Sequence, residues 1–463
     1  MNPELLRNLW LQFSPERIIA APLILGAAFA LAAFATDGSW EVVARAASWG
    51  YVVIAYLWGT RRAVNVLADE IAAGTWDGQR MSSIGPWTMA WGKLLGGTAY
   101  VWYCALLCLA VYTVGKVETG RQHELLIGLP LKITGALLAQ TVALVLALML
   151  VGKGRRLSRR SLAFAQGGAL LIGLFGVSSV LLPSLTESFG FGAAQAVTWF
   201  GIEFSADEFT LLTQVLFLGW AVVAAYRLMA GELQLRQRPW VWLSFSLFLI
   251  AYYQGFLLLG PDAGLSLRFF SALLVAVPLY YLAMFAQTND VIRYRWLFHH
   301  VRGGTWRNAL SLLPLWMPSL ALAAGLAVVV AVLTRDEVRT LTADEAVPRM
   351  LIGETWSGGI ATAIALILFM LRDLGIVLLL NFGKRPKAPD LAALLYLIVL
   401  YGVCGGLVAA AGAGSLLPLF LPGAGNNAVV VVLAPLVQVI LVAVLLQRRW
   451  QAQTRALQPQ PAG

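Results

Sequence analysis

Residues 61–93, RRAVNVLADEIAAGTWDGQRMSSIGPWTMAWGK, form the longest polar interruption in the first half of an otherwise apolar chain. They follow the second of many membrane-length segments. Asn65 to Ala73 holds no helix breaker, so a helix leaving the membrane can run on through the acidic pair Asp69 and Glu70. Gly74 can end it, because glycine tolerates the left-handed conformation that follows a helix C-terminus. Thr75 then stands as the N-cap of a short amphipathic helix that starts at Trp76-Asp77, carries Arg80 and ends near Ser82-Ser83. Gly85-Pro86 breaks the chain again, and Gly92-Lys93 stands where the next span begins. A short helix held between two rigid spans suits mechanical contact with a soluble partner.

The rest of the composition points the same way. Of 463 residues, 59% are hydrophobic and only 12% charged, against about 25% charged in ordinary globular chains. The reading is an all-α polytopic membrane protein with twelve spans, near 18–36, 42–60, 92–114, 133–151, 161–182, 209–229, 240–259, 266–287, 309–333, 356–380, 391–412 and 428–446. With the N-terminus inside, the inner segments hold 25 basic and nine acidic residues, the outer ones eight and 14. That asymmetry predicts both termini in the cytoplasm. It also accounts for the net charge of +10 without nucleic acid, because the basic residues sit in short loops between spans.

Before the first span, Leu5, Leu6, Leu9, Trp10 and Phe13 recur at helical spacing, so residues 2–14 read as an amphipathic helix in the membrane interface. Glu4 and Arg7, with no small-residue cleavage site after them, argue against a cleaved signal peptide. The outer loops 183–208 and 334–355 are polar enough to hold short helices. The tail from Gln451 reads as disordered.

GTW occurs twice, at Gly74-Thr75-Trp76 and at Gly304-Thr305-Trp306, 230 residues apart. Each copy follows the second span of its half and precedes a proline-containing start of the next. The outline is two tandem six-span units, 1–230 and 231–450, followed by the tail 451–463. The second copy lacks the acidic pair.

Glu70, Gly74-Thr75, Pro86 and Gly92-Lys93 together resemble the intracellular coupling segment of the permease subunits of ABC type-2 exporters. Where that family often has Thr-Pro after the short helix, Ser82-Ser83 stands here. The resemblance covers about residues 1–110, and the remainder only through the number of spans. It implies a bacterial cytoplasmic-membrane exporter driven by a separate ATP-binding-cassette ATPase, with ATP bound by that partner and no cofactor in this chain. The permease would be a single-chain pseudo-dimer or a homodimer. Asp69, Glu70, Gly74, Thr75, Trp76, Asp77, Arg80, Pro86, Gly92 and Lys93 would form the coupling site, with Trp76, Asp77 and Arg80 as its docking surface. Gly304, Thr305, Trp306, Arg372 and Asp373 would form a second coupling region.

Other chemistry is thin. No phosphate-binding loop is present, since Gly92-Lys93 is followed by Leu94. Cys104 and Cys108 share a helix face without a histidine or carboxylate in sequence nearby, which reads as packing. No metal spacing involves His123, His299 or His300, and no nucleophile constellation is evident, so no catalytic residue is assigned. The adjacent Arg372 and Asp373 come closest to intramembrane charge, yet neighbours on a helix do not share a face, so a direct pair is not expected. Tyr252, Tyr253 and Gln254 are the candidates for a substrate surface. Twelve spans in two halves also describe ion-coupled secondary transporters of the major facilitator type. A polytopic glycosyltransferase is a further alternative, lacking a recognisable acidic motif near Asp37 and Glu41.

Overall fold

The structure is a computed structural model describing residues 2–152, 163, 165–171, 196–256, 265–287, 289–337, 356–383, 389–422 and 427–456. It is an all-α polytopic membrane protein. Among the described residues, ten helical segments are long and apolar enough to span a bilayer. The expected seventh span is the shorter helix Trp240–Gln254. Most of the fifth, 161–182, lies outside the described residues. The chain divides into two compact units, Met1–Gln237 and Arg238–Gly463.

In the first unit, α1 (Pro3–Gln12) is capped by the Asn2 carboxamide, which accepts from the N–H groups of Glu4 and Leu5. Next, α2 (Pro15–Phe34) exposes Leu23, Ile24, Leu31 and Phe34, the lipid-facing side of a span. One unbroken helix then comprises α3 (Trp40–Tyr51), a π-helical stretch (Val52–Trp58) and α4 (Gly59–Ala72). It carries the second span straight out into the polar segment. After α5 (Trp76–Arg80), Pro86 opens α6 (Pro86–Trp91), which continues through a π turn, Gly92–Gly96, towards α7 (Ala99–Glu118). The fourth span, α8 (Leu125–Gly152), starts two turns earlier than its expected boundary at 133. Pro130 lies inside it, tolerated because a membrane helix can satisfy the freed carbonyl elsewhere. The carbonyl it frees is that of Leu126, in the first turn of the helix; one turn further on, Thr134 Oγ1 donates to the carbonyl of Pro130 itself at 2.8 Å.

Part of the loop 183–208, expected outside and expected to hold short helices, is instead a hairpin of β1 (Ala196–Trp199) and β2 (Ile202–Ser205), antiparallel with Trp199 opposite Ile202. Its turn residues Phe200 and Gly201 both have positive φ, 49° and 77°, as the two-residue turn that matches strand twist demands. Ser205 then caps α9 (Ala206–Glu232) in a capping box with Glu208. Among the described residues, three cores fill this unit. One packs Leu67, Trp76, Met89, Leu144 and Met229, a second packs Tyr51, Tyr56, Cys108 and Ala139, and a smaller third packs Ala44, Ala47 and Tyr112.

The second unit comprises α10 (Trp240–Gln254), α11 (Leu265–Ala286), α12 (Val291–Arg302), α13 (Trp306–Leu312), α14 (Trp316–Glu337) and α15 (Trp356–Asn381). Next come α16 (Pro389–Ile398), a π stretch (Val399–Cys404), α17 (Gly405–Ala410), a 3-10 turn (Gly414–Leu419) and α18 (Ala428–Ala456). Its core gathers Phe270, Tyr280, Met284, Tyr294, Trp316, Met370 and Phe382. The ninth span begins at Trp316 rather than at 309, because Pro314 separates it from α13. The tail expected to be disordered from Gln451 stays helical to Ala456.

Candidate functional site

The polar face of α1 is what builds the site. Glu4, Asn8 and Gln12, spaced four apart, are the buried residues of this helix, while Trp10 is 85% exposed. Trp10 and Leu11 point away from the protein, Leu5, Leu6, Leu9 and Phe13 are half-buried, with Phe13 against Tyr100 and Tyr103, and the polar stripe packs on the start of the third span. Gly92 and Gly96 make that approach possible. A Cβ on Gly92 would lie 2.5 Å from the Glu4 side chain, and one on Gly96 would lie 2.8 Å from Asn8 Cβ. Gln12 Nε2 donates to the carbonyls of Gly96 and Gly97 at 2.8 and 2.7 Å, two acceptors freed by the π turn.

At the centre lies Lys93, with its side chain fully buried. Its ammonium donates to Glu4 Oε1 at 3.1 Å, to Glu70, and to Gln79 Oε1 at 2.8 Å. It also sits 5.1 Å from the Trp76 ring centroid. Arg7 adds the second cation, bridging Glu4 at 2.9 Å and Glu70. One ammonium thus ties α1, the end of α4 and α5 to the first turn of the third span. Each buried charge has an opposite partner, which is the condition for tolerating charge away from water.

Glu70 is held within this arrangement, its side chain 11% exposed and doubly paired. Three expectations are corrected. Trp76 is not a docking residue, being 4% exposed and packed with Leu67 and Met89. Thr75 occupies the N-cap position but makes no side-chain cap; its hydroxyl donates to the Glu70 carbonyl at 3.2 Å. The helix it precedes ends at Arg80, short of Ser82-Ser83. Asp77 remains outward, 83% exposed, with Arg80 3.5 Å away. Arg80 Nε also donates to the Glu232 carbonyl at 3.0 Å, fastening α5 to the end of α9. Asp69 is exposed and faces Arg62 at 3.9 Å. Pro86 does as expected, starting α6 after the extended Gly85.

The two GTW copies adopt one backbone motif. Gly74 has φ +69° and Gly304 has φ +67°. In each, the threonine N–H reaches back five residues, Thr75 to Glu70 and Thr305 to His300, both at 3.0 Å. That is the six-to-one bond that closes a helix before a left-handed glycine. A Cβ at either glycine would meet open space, so substitution there costs only backbone strain, about 1–2 kcal/mol. The surroundings differ. With the offset of 230, His300 stands where Glu70 does and Ala323 where Lys93 does, and Trp306 is 62% exposed. In the second unit the neighbouring anchor is Tyr294, whose hydroxyl donates to Asn289 and accepts from Trp316 Nε1 at 2.9 Å. Burial pushes that phenol up to about 12.

Arg372 and Asp373 are not part of any turn near Trp306 in sequence, and they do pair. Arg372 Nε donates to Asp373 Oδ1 at 2.8 Å, with both residues buried. The 100° between helix neighbours keeps short side chains apart, but arginine is long enough to fold across it. Tyr281 and Tyr401 each donate to Asp373 Oδ2 at 2.6 Å, and Arg372 Nη1 donates to Gln438 Oε1 at 2.7 Å. The guanidinium lies over the Phe369 and Tyr401 rings, 4.3 and 5.1 Å from their centroids. The group joins α11, α15, the π stretch and α18.

The Tyr252–Gln254 cluster at the end of α10 is largely committed to packing. Tyr252 is buried against Phe248 and Phe256, and Gln254 Nε2 donates to the Arg268 carbonyl and to Ser271. Tyr253 alone is well exposed, at 49%.

Glu4, Arg7 and Gln79 belong to the site but were not assigned to it from sequence. The signal for the first was present as the polar stripe Glu4-Asn8-Gln12 on a helix read only for its apolar side. No family model matches this chain, and no curated protein and no solved structure matches it either.

Proposed function

We propose that the chain is the permease of an exporter powered by a separate ATP-binding-cassette ATPase, set in a bacterial cytoplasmic membrane with both termini in the cytoplasm. The observation that carries this reading is the Lys93 latch. Three segments, α1 from 89 residues away and the end of α4 and α5 from nearer by, converge on the first turn of a span, so a push on α5 moves α1 and the third span together. Asp77 and Met81, each 83% exposed, are the contact surface offered to the ATPase. ATP is bound by that partner, and this chain holds no phosphate-binding loop. The repeated left-handed turn supports a single-chain pseudo-dimer, with the second copy exposing Trp306 in place of a latch. The cargo is a substrate moved outward through the spans.

The buried Arg372–Asp373 pair favours a second reading, an ion-coupled secondary transporter, because intramembrane charge is commonly kept for function. Co-expression separates the two. The chain is expected to purify with an ATPase encoded beside it and to hydrolyse no ATP alone. Asp77→Arg should cut recovery of the ATPase at least about tenfold, a contact-charge reversal worth about 1.4 kcal/mol or more. Its own stability should stay within about 0.5 kcal/mol, as for other exposed sites. ATP hydrolysis by the pure chain, or undiminished recovery with Asp77→Arg, would remove the reading.

A further inference from the structure

The early start of α8 places Lys132 two turns inside a span, where its residue is 5% exposed. Its ammonium donates to Ser48 Oγ at 2.8 Å and lies 4.9 Å from the Tyr112 ring centroid. Among the described residues no carboxylate lies within ion-pair distance of it. Two carboxylates of this end of the unit are engaged elsewhere: Glu124 by Lys116, and Glu41 by Arg45 and Arg121. Every other buried cation described above, Lys93 and Arg372, has an acid beside it. Lys132 has two further ammonium protons and no anion.

The surrounding backbone is built to hold this residue in place. In the π stretch, hydrogen bonds run to the fifth residue, so residues five apart come into line. Tyr51 and Tyr56 are such a pair, and both hydroxyls donate to the Lys132 carbonyl, at 2.9 and 3.4 Å. An ordinary helix would turn those two rings to different faces. Ser48 is half-buried, and Arg45, one turn before it and exposed, shares its side of α3. The site stands at the opposite end of the unit from Lys93, since Ser48 and Glu70 are 22 residues apart on one helix, about 33 Å.

We propose that Lys132, with Ser48, binds a phosphate-type anionic group entering past Arg45, either a lipid headgroup or a free anion. The binding does not depend on the coupling reading. The test uses the full chain in an uncharged detergent, with unfolding followed by tryptophan fluorescence. Phosphatidylglycerol at saturation should raise the Tm by about 5 °C, the shift of a one-site ligand far above its Kd, and phosphatidylcholine should not. Lys132→Met should lose that shift and Lys132→Arg keep it. A shift with inorganic phosphate alone would assign a free anion; a shift with phosphatidylglycerol only would assign a lipid. Should Lys132→Met fail to insert, Ser48→Ala carries the test and should weaken binding several-fold. Equal stabilisation of wild type and Lys132→Met by phosphatidylglycerol, or no shift of the wild type with either anion, would overturn the site.

Discussion

Lys93→Met is expected to destabilise the first unit by about 3–5 kcal/mol, the usual cost of removing one partner from a buried ion pair. The ammonium is fully buried between Glu4, 3% exposed, and Glu70, 11% exposed. Without it the two carboxylates face each other with only Arg7, itself 40% exposed, to offset them. For a unit of this size each kcal/mol moves the Tm by about 2–4 °C, so the midpoint should fall by roughly 10 °C. Glu70→Ala should cost less, about 1–3 kcal/mol, because Glu4 still holds the ammonium. The two residues are each other's partners, so their effects should be non-additive by about 1 kcal/mol or more. Unfolding of the four proteins in detergent, followed by tryptophan fluorescence, gives the cycle. Additive effects, or a Lys93→Met protein within about 0.5 kcal/mol of wild type, would dismantle the latch.

A loss of similar size is expected in the second unit for Asp373→Asn. Arg372 would be left buried with Gln438 and the Leu419 carbonyl as partners and no anion, again about 3–5 kcal/mol. The informative comparison is with removal of the whole group. Arg372→Met with Asp373→Leu leaves the Tyr281 and Tyr401 hydroxyls and Gln438 Oε1 without these partners. Adding Tyr281→Phe and Tyr401→Phe should recover most of the stability, since matched apolar replacement of a buried pair is often neutral. If the fourfold variant is stable yet transports nothing, the group serves transport. If it is stable and transports normally, the group is structural.

The helical membrane architecture was legible because lipid imposes long apolar runs, and the left-handed turn at Gly74 because only a few residues fit there. Depth within the membrane was harder to read. The span read as 133–151 leaves Lys132 just outside it, whereas α8 starts at Leu125 and carries Pro130 within it, since a proline near the start of a membrane helix need not end it. The Arg372–Asp373 pair was missed because helix-face reasoning treats side chains as short pegs. Trp76 was assigned to the surface because a short amphipathic helix shows which residues are apolar and not which neighbour covers them. The neighbour here is Lys93, 17 residues on, and its other partner Glu4 is 89 residues away. Contacts of that range leave no periodic trace.

The coupling account stands on which side of the membrane the latch occupies. Ser82 lies beside α5, which is fastened to the Glu232 end of α9, while Ser205 caps the other end of that 27-residue helix. Both are exposed. In a background with Cys104, Cys108 and Cys404 replaced, a membrane-impermeant thiol reagent added to intact cells tests the sides directly. The account predicts that Ser205→Cys is labelled and Ser82→Cys is not until the membrane is opened. Labelling of Ser82→Cys in intact cells would put the latch on the outer face, beyond reach of any ATPase, and contradict it.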